Sequence, residues 1–142
     1  MRYFVYICSM LIISSAAFGA TGASVTYQVD GQSYKGYYIS PSDEAHFLLL
    51  IHDWDGLTDY EVKRANMLAE MGYAVFAADL FGAGNRPTEV EDKRQHTGEL
   101  YKDRNKMRAL MTGALEQAAA MGANRANAVA MGYCFGGAAV LE

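Results

Sequence analysis

The apolar and polar positions of this chain follow a changing order. Residues 25–29 alternate apolar and polar, the period of a strand with one buried face. Asp30-Gly31 follows, a pair suited to a type I′ turn, whose two central residues need positive φ. Residues 33–39 answer as a second, antiparallel strand, and residues 41–44 form a polar turn. The pattern then switches. Phe47-Leu48-Leu49-Leu50-Ile51 is a continuous apolar run, as in a strand covered on both faces. Thr58 caps a helix, with Glu61 completing a capping box. Val62, Ala65, Leu68 and Ala69 make the helix's apolar stripe, and Gly72 sits where a C-terminal cap belongs.

Residues 73–78 form another buried strand, ending at Asp79, and a long polar loop is predicted over 80–96. The next helix is predicted over 99–121, with Leu100, Met107, Leu110, Met111, Ala114, Leu115 and Ala118 on its apolar face and Gly122 closing it. Residues 126–131 read as a third buried strand, residues 132–137 as a tight turn, and Ala138 begins a further helix. Buried strands alternating with amphipathic helices predict an α/β fold with right-handed crossovers and a mostly parallel sheet. The hairpin adds an antiparallel edge. Ligands in such sheets bind beyond the carboxyl ends of the strands, which directs attention to the loops beginning at His52, Asp79 and Gly132.

The start of the chain follows a different logic. Arg2 supplies a positive charge, residues 3–13 are apolar except for Ser9, and small residues fill 14–23. This is the three-part layout of an export signal over residues 1–22, with cleavage after Gly19 or Gly22, and the protein is expected to be secreted or periplasmic. The alternative is an uncleaved anchor, but the apolar stretch is short against the roughly 20 residues of a span. Residues 23–142 would then be the folded domain, with no membrane span after cleavage.

Composition changes the picture in two respects. The 142 residues are 51% apolar and 20% charged, with a net charge of −4 and no basic cluster, so nucleic acid is not an expected partner. Cleavage would remove Arg2 and Cys8, leaving a net charge of about −5 and a single cysteine, Cys134. A lone thiol in an exported chain is a candidate reactive group.

Gly132-Tyr133-Cys134-Phe135-Gly136 has the glycine-x-nucleophile-x-glycine spacing of a nucleophile elbow, with cysteine in place of serine. The glycines are required because side chains there would collide between strand and helix. Cys134 would stand at a helix N-terminus, where the dipole favours a thiolate. The competing reading is a buried, inert cysteine in a glycine-rich turn. His52, Asp53 and Asp55 are adjacent acceptors but lack ligand geometry, so no metal is expected, and nothing calls for a cofactor. His46 reads as a surface residue, His96 as a loop residue, Asp79 as structural, and Trp54 as either pocket lining or packing.

These segments resemble the dienelactone hydrolase family. Gly132 to Gly137 is similar to that family's elbow, and His52-Asp53-Trp54-Asp55-Gly56-Leu57 to its first active-site loop. Gly72-Tyr73-Ala74-Val75 leading to Ala78-Asp79-Leu80-Phe81-Gly82 is similar to its next strand and loop. The resemblance runs from about Phe47 to the end. It implies an α/β-hydrolase fold of which this chain is the N-terminal part, acting on a small ester or lactone. It assigns Cys134 as nucleophile and the backbone N–H groups of Trp54 and Phe135 as the oxyanion hole. A glutamate that lies near the family's resting thiol is matched by Asp53, one methylene shorter and expected to tune the site. The family's arginine after the Asp-Leu-aromatic segment is matched by Ala83, with Arg86 as candidate substitute.

A thiol nucleophile of this fold needs an acid and a histidine after it in the chain. No histidine or aspartate follows Cys134 before Glu142. Two readings are open: a hydrolase whose remaining half continues beyond Glu142, this piece being inactive alone, or a non-catalytic module or pseudoenzyme.

Overall fold

A computed structural model describes residues 20–142. The export signal read over residues 1–22 lies, up to residue 19, outside the described residues. The first strand, β1, spans Ala23–Val29, and β2 spans Gln32–Ile39. Asp30 and Gly31 join them with φ of 49° and 76°, both left-handed, as the predicted turn requires. Strand β3 is His46–Ile51, helix α1 is Asp59–Glu70, and β4 is Tyr73–Ala78. Helices α2, Val90–Lys102, and α3, Arg104–Ala120, precede β5, Val129–Gly132, and the short α4, Phe135–Val140.

The five strands form one sheet in the order β1-β2-β4-β3-β5. β3 pairs in parallel with both β4 and β5, while β1–β2 and β2–β4 are antiparallel. The sheet is therefore mixed, with two parallel and two antiparallel pairings: the predicted parallel arrangement holds for β4, β3 and β5, and the predicted hairpin lies at one edge but also joins β4 antiparallel. The apolar run of β3 divides by parity. Phe47, Leu49 and Ile51 face a core completed by Met107, Leu110, Ala114 and Ala118 of α3 and Phe135 of α4. Leu48 and Leu50 face the opposite core, completed by Leu57 and by Ala65 and Ala69 of α1. Burying each such large side chain is worth roughly 1.5–3 kcal/mol, so both faces of the central strands are pinned. The Thr58–Glu61 capping box of α1 is present.

Three expectations are corrected. The segment read as loop over 80–96 becomes helical from Val90. Only Thr97 and Leu100 of α2 are buried, so there is no apolar stripe to detect. The helix read over 99–121 is two helices. Asp103 takes φ −117° and ψ 78°, and its carboxylate accepts from the Lys106 N–H at 2.9 Å, ending α2 and capping α3. The third strand starts later than residue 126, because Asn124 caps a single 3₁₀ turn at Arg125–Asn127 by accepting from the Ala126 N–H. That strand is also not covered on both faces: Val129 is 54% exposed, since β5 has β3 as its one neighbour among the described residues.

Candidate active site

Three loops meet at the carboxyl ends of β3, β4 and β5. Ile51 and Gly132 are register partners, so the loop after β3 and the turn after β5 start side by side. Cys134 links β5 to α4 with φ 51° and ψ −113°, one of two non-glycine residues with positive φ among the described residues. A residue held in so sparsely populated a region costs of order 1–3 kcal/mol and persists where its surroundings enforce it. Those surroundings are backbone. A Cβ on Gly136 would lie 2.5 Å from the His52 carbonyl oxygen and 2.6 Å from that of Ile51. A Cβ on Gly132 would strike the Gly136 carbonyl. Both glycines therefore allow the turn to close against β3, and Cys134 is left exposed at its apex.

Of the first three amides of α4, Gly136 donates to Tyr133 O at 2.8 Å and Gly137 to Cys134 O at 3.1 Å. The Phe135 N–H has no acceptor among the described residues. The phenyl ring of Phe135 is buried against His52, Phe81 and Tyr101. Tyr133, just before Cys134, accepts from Arg64 Nη2 at 2.9 Å and Nε at 3.2 Å, so α1 also grips the turn.

The first loop is braced from below by His52, which is fully buried. Its Nε2 accepts from the Leu80 N–H at 3.1 Å. The proton therefore sits on Nδ1, which donates to Asp53 O at 2.6 Å. Burial pushes the imidazole down to about 4, against a smaller upward pull from the Asp53 carbonyl, so the ring is neutral near pH 7. With both nitrogens engaged, His52 serves as a bracket between two loops. Asp79, also fully buried, is the second bracket. Its Oδ1 accepts from the N–H groups of Phe81 and Gly82, and its Oδ2 from the Lys35 N–H of β2. Arg86 Nη1 lies 3.6 Å from the same Oδ1.

Above the bracket, the Asp55 N–H donates to Asp53 Oδ1 at 3.1 Å. The Trp54 N–H between them has no acceptor among the described residues. Burial raises the Asp53 carboxyl, but hydrogen bonds from Asp55 outweigh it, helped by His52 and Lys93, and the net displacement is downward. Asp55 is pushed up to about 6, first by its hydrogen bond to the Asp53 carboxylate and then by burial. Lys93 Nζ stands 5.2 Å from the Trp54 ring centroid.

The structure thus brings Cys134, Phe135, Gly132 and Gly136 together with the loop carrying Asp53 and Trp54. His46 is exposed and His96 stacks on Phe81 with centroids 5.0 Å apart. Three contributors were not legible as such in the sequence: His52 as bracket, Lys93 over Trp54, and the Arg64–Tyr133 contact. Only His52 had a signal, a polar ring directly after an apolar strand.

The dienelactone hydrolase family model matches residues 34–142, and the chain belongs to that family. Among solved structures it is similar to one designated m3DLH, with TM-score 0.81 and 28% identity over 87% of this chain and 53% of the other. It is also similar to a dienelactone hydrolase-like promiscuous phosphotriesterase from metagenomic libraries, with TM-score 0.78 and 25% identity over 87% and 53%. A cold-adapted esterase from an Arctic intertidal metagenomic library shares the fold, with TM-score 0.69 and 22% identity over 87% and 56%. No curated protein matches. The chain spans about half the length of these solved relatives.

Proposed function

We propose that the protein is a hydrolase that opens ester or lactone bonds of small molecules through the sulfur of Cys134. The observation that carries this reading is the exposed Cys134 at φ 51°, forced by close backbone packing at a strand-to-helix turn. In this reading the sulfur adds to the carbonyl carbon. The carbonyl oxygen becomes an oxyanion held by the N–H groups of Trp54 and Phe135, neither of which has another acceptor among the described residues. Such preorganised donors are worth roughly 3–4 kcal/mol each. The C–O bond then breaks, the alkoxide leaves with a proton, and water hydrolyses the thioester to release the acid and restore the thiol. The proton donor is a histidine oriented by an acid, supplied by the half of the fold that the relatives have and this chain does not span. Asp53 tunes the site by sharing a proton with Asp55. Export accords with the same reading, resting on Arg2, the apolar run and the small residues up to Gly22.

The test uses the full-length protein on activated esters and lactones. Cys134→Ala should lower kcat by at least about 10⁴-fold while leaving the fold intact, and stoichiometric alkylation of Cys134 should do the same. Full activity in Cys134→Ala would overturn the cysteine mechanism. A full-length protein inactive on every activated ester would favour a non-catalytic module.

A further inference from the structure

The first loop and the start of α1 bring three carboxylates together. One oxygen from each of Asp53, Asp55 and Glu61 lies within 4.8 Å of the other two. Oxygens bound to one calcium-sized ion at ~2.4 Å can be no further than ~4.8 Å apart, so the three could share an ion after small adjustments. Glu61 is 1% exposed. Its Oε2 is held by Thr58, accepting from the N–H at 2.8 Å and the hydroxyl at 2.9 Å. Its Oε1 is buried and has no hydrogen-bond partner. A buried carboxylate oxygen without a donor is costly, and the capping role of Glu61 explains only the other oxygen.

Charge points the same way. None of the three carboxylates has a salt bridge among the described residues. The nearby ammonium, Lys93, stands over the Trp54 ring. The trio set aside from the sequence, His52 with Asp53 and Asp55, is a different set. Both nitrogens of His52 are engaged elsewhere, and its place is taken by Glu61, which only folding brings near.

We propose that Asp53, Asp55 and Glu61 form a binding site for a hard divalent cation, calcium in the first place. The donors are all oxygens, which excludes a preference for soft metals. Asp53 and Asp55 are half-buried, which leaves room for the waters that complete a six- to eight-oxygen shell around calcium. The orphaned Glu61 oxygen gains a partner, and the loop bearing Trp54 gains a third anchor. This inference stands independently of the hydrolase reading.

Trp54 is the single tryptophan of this sequence and lies between two of the proposed ligands, which supplies a probe. In the full-length protein stripped with chelator, terbium should give luminescence sensitised through tryptophan, and calcium should displace it. Calorimetric titration with calcium alone should show one site, and saturating calcium should raise Tm by about 4 °C or more. Asp55→Asn should weaken calcium binding at least tenfold without lowering Tm in chelator. Glu61→Gln keeps an acceptor for Thr58 and should weaken binding as much. Absence of sensitised terbium emission and of calorimetric binding would overturn the proposal. So would calcium affinity unchanged in Asp55→Asn, a variant that leaves the Thr58–Glu61 cap untouched.

Discussion

At the carboxyl edge of the sheet, the loops after β3 and β4 are held differently from the turn after β5. The first two are tied by buried polar side chains: His52 receives the Leu80 N–H, and Asp79 receives those of Lys35, Phe81 and Gly82. The elbow closes on absence of side chains, with Gly132 and Gly136 letting backbone meet backbone. Its strand is also the less buried, with Val129 exposed while β3 and β4 are covered. The difference teaches that the two halves of the candidate site fail in different ways. The braced loops depend on protonation and hydrogen-bond complementarity, and the elbow on volume.

The largest effect should come at the elbow. Gly136→Ala sets a methyl against two carbonyl oxygens of β3 and its loop, neither able to yield without moving the strand. Overpacking of this kind should cost about 3 kcal/mol or more. Under the proposed hydrolase reading, displacing Cys134 should also cost on the order of 100-fold in ester hydrolysis. Gly137→Ala is the control, since its Cβ would lie 3.4 Å from the Gly132 carbonyl. Denaturant melts and kcat of both variants check the pair, and equal losses would break the comparison.

Acid should act on the braced side. The folded value of His52, about 4, lies below its ordinary value of 6.5. The unfolded chain therefore takes up the proton first. Stability present above pH 6.5 is lost as the pH falls through that window towards 4, approaching about 3 kcal/mol for this group. His52→Phe should flatten the slope, at a fixed cost of about 1–3 kcal/mol for the orphaned Leu80 N–H. Chemical denaturation at pH 7, 5.5 and 4 reads both effects.

Asp79→Asn should cost somewhat less, about 2 kcal/mol, because one acceptor oxygen survives while an amide NH₂ replaces a bonded oxygen. Thermal melts at fixed pH measure it. A neutral result would mean that the β4 loop is not held by Asp79.

The smallest effect should be confined to the junction of the two regions. Asp55 titrates near 6 because its partner is the Asp53 carboxylate. Asp53→Asn removes that partner, so Asp55 returns towards the ordinary range of ~3.9. In protein stripped with chelator, an inflection near pH 6 in the rate of Cys134 alkylation should disappear in the variant, with little change in Tm. An unchanged profile would separate Asp53 from the thiol.

The sheet was legible because its central strands obey two-sided burial. The Phe47–Ile51 run, short and bounded by turns, fits a doubly covered strand, and Asp30-Gly31 marked the hairpin. Helix α2 was not legible, since a helix burying only Thr97 and Leu100 has no stripe. Its acidic first turn, Glu91 and Asp92, and its terminal Lys102 were the available signals. The break at Asp103 was hidden by apolar residues continuing in phase across it. In the site, the elbow was visible because its constraint is local and forces glycine at fixed spacing. Glu61 was visible only as a cap. Its burial beside Asp53 and Asp55 depends on how α1 docks, which no local pattern encodes.

The two buried brackets also have a kinetic meaning. The amides of Lys35, Leu80, Phe81 and Gly82 are bonded to side chains that do not meet solvent. Exchange of those hydrogens with deuterated water requires the brackets to be pulled out of the core, a step that opens β3 and β4 together. Leu80, Phe81 and Gly82 lie in irregular backbone, yet should exchange with the slow amides of the central strands. On the exchange timescale, the start of this loop belongs to the sheet.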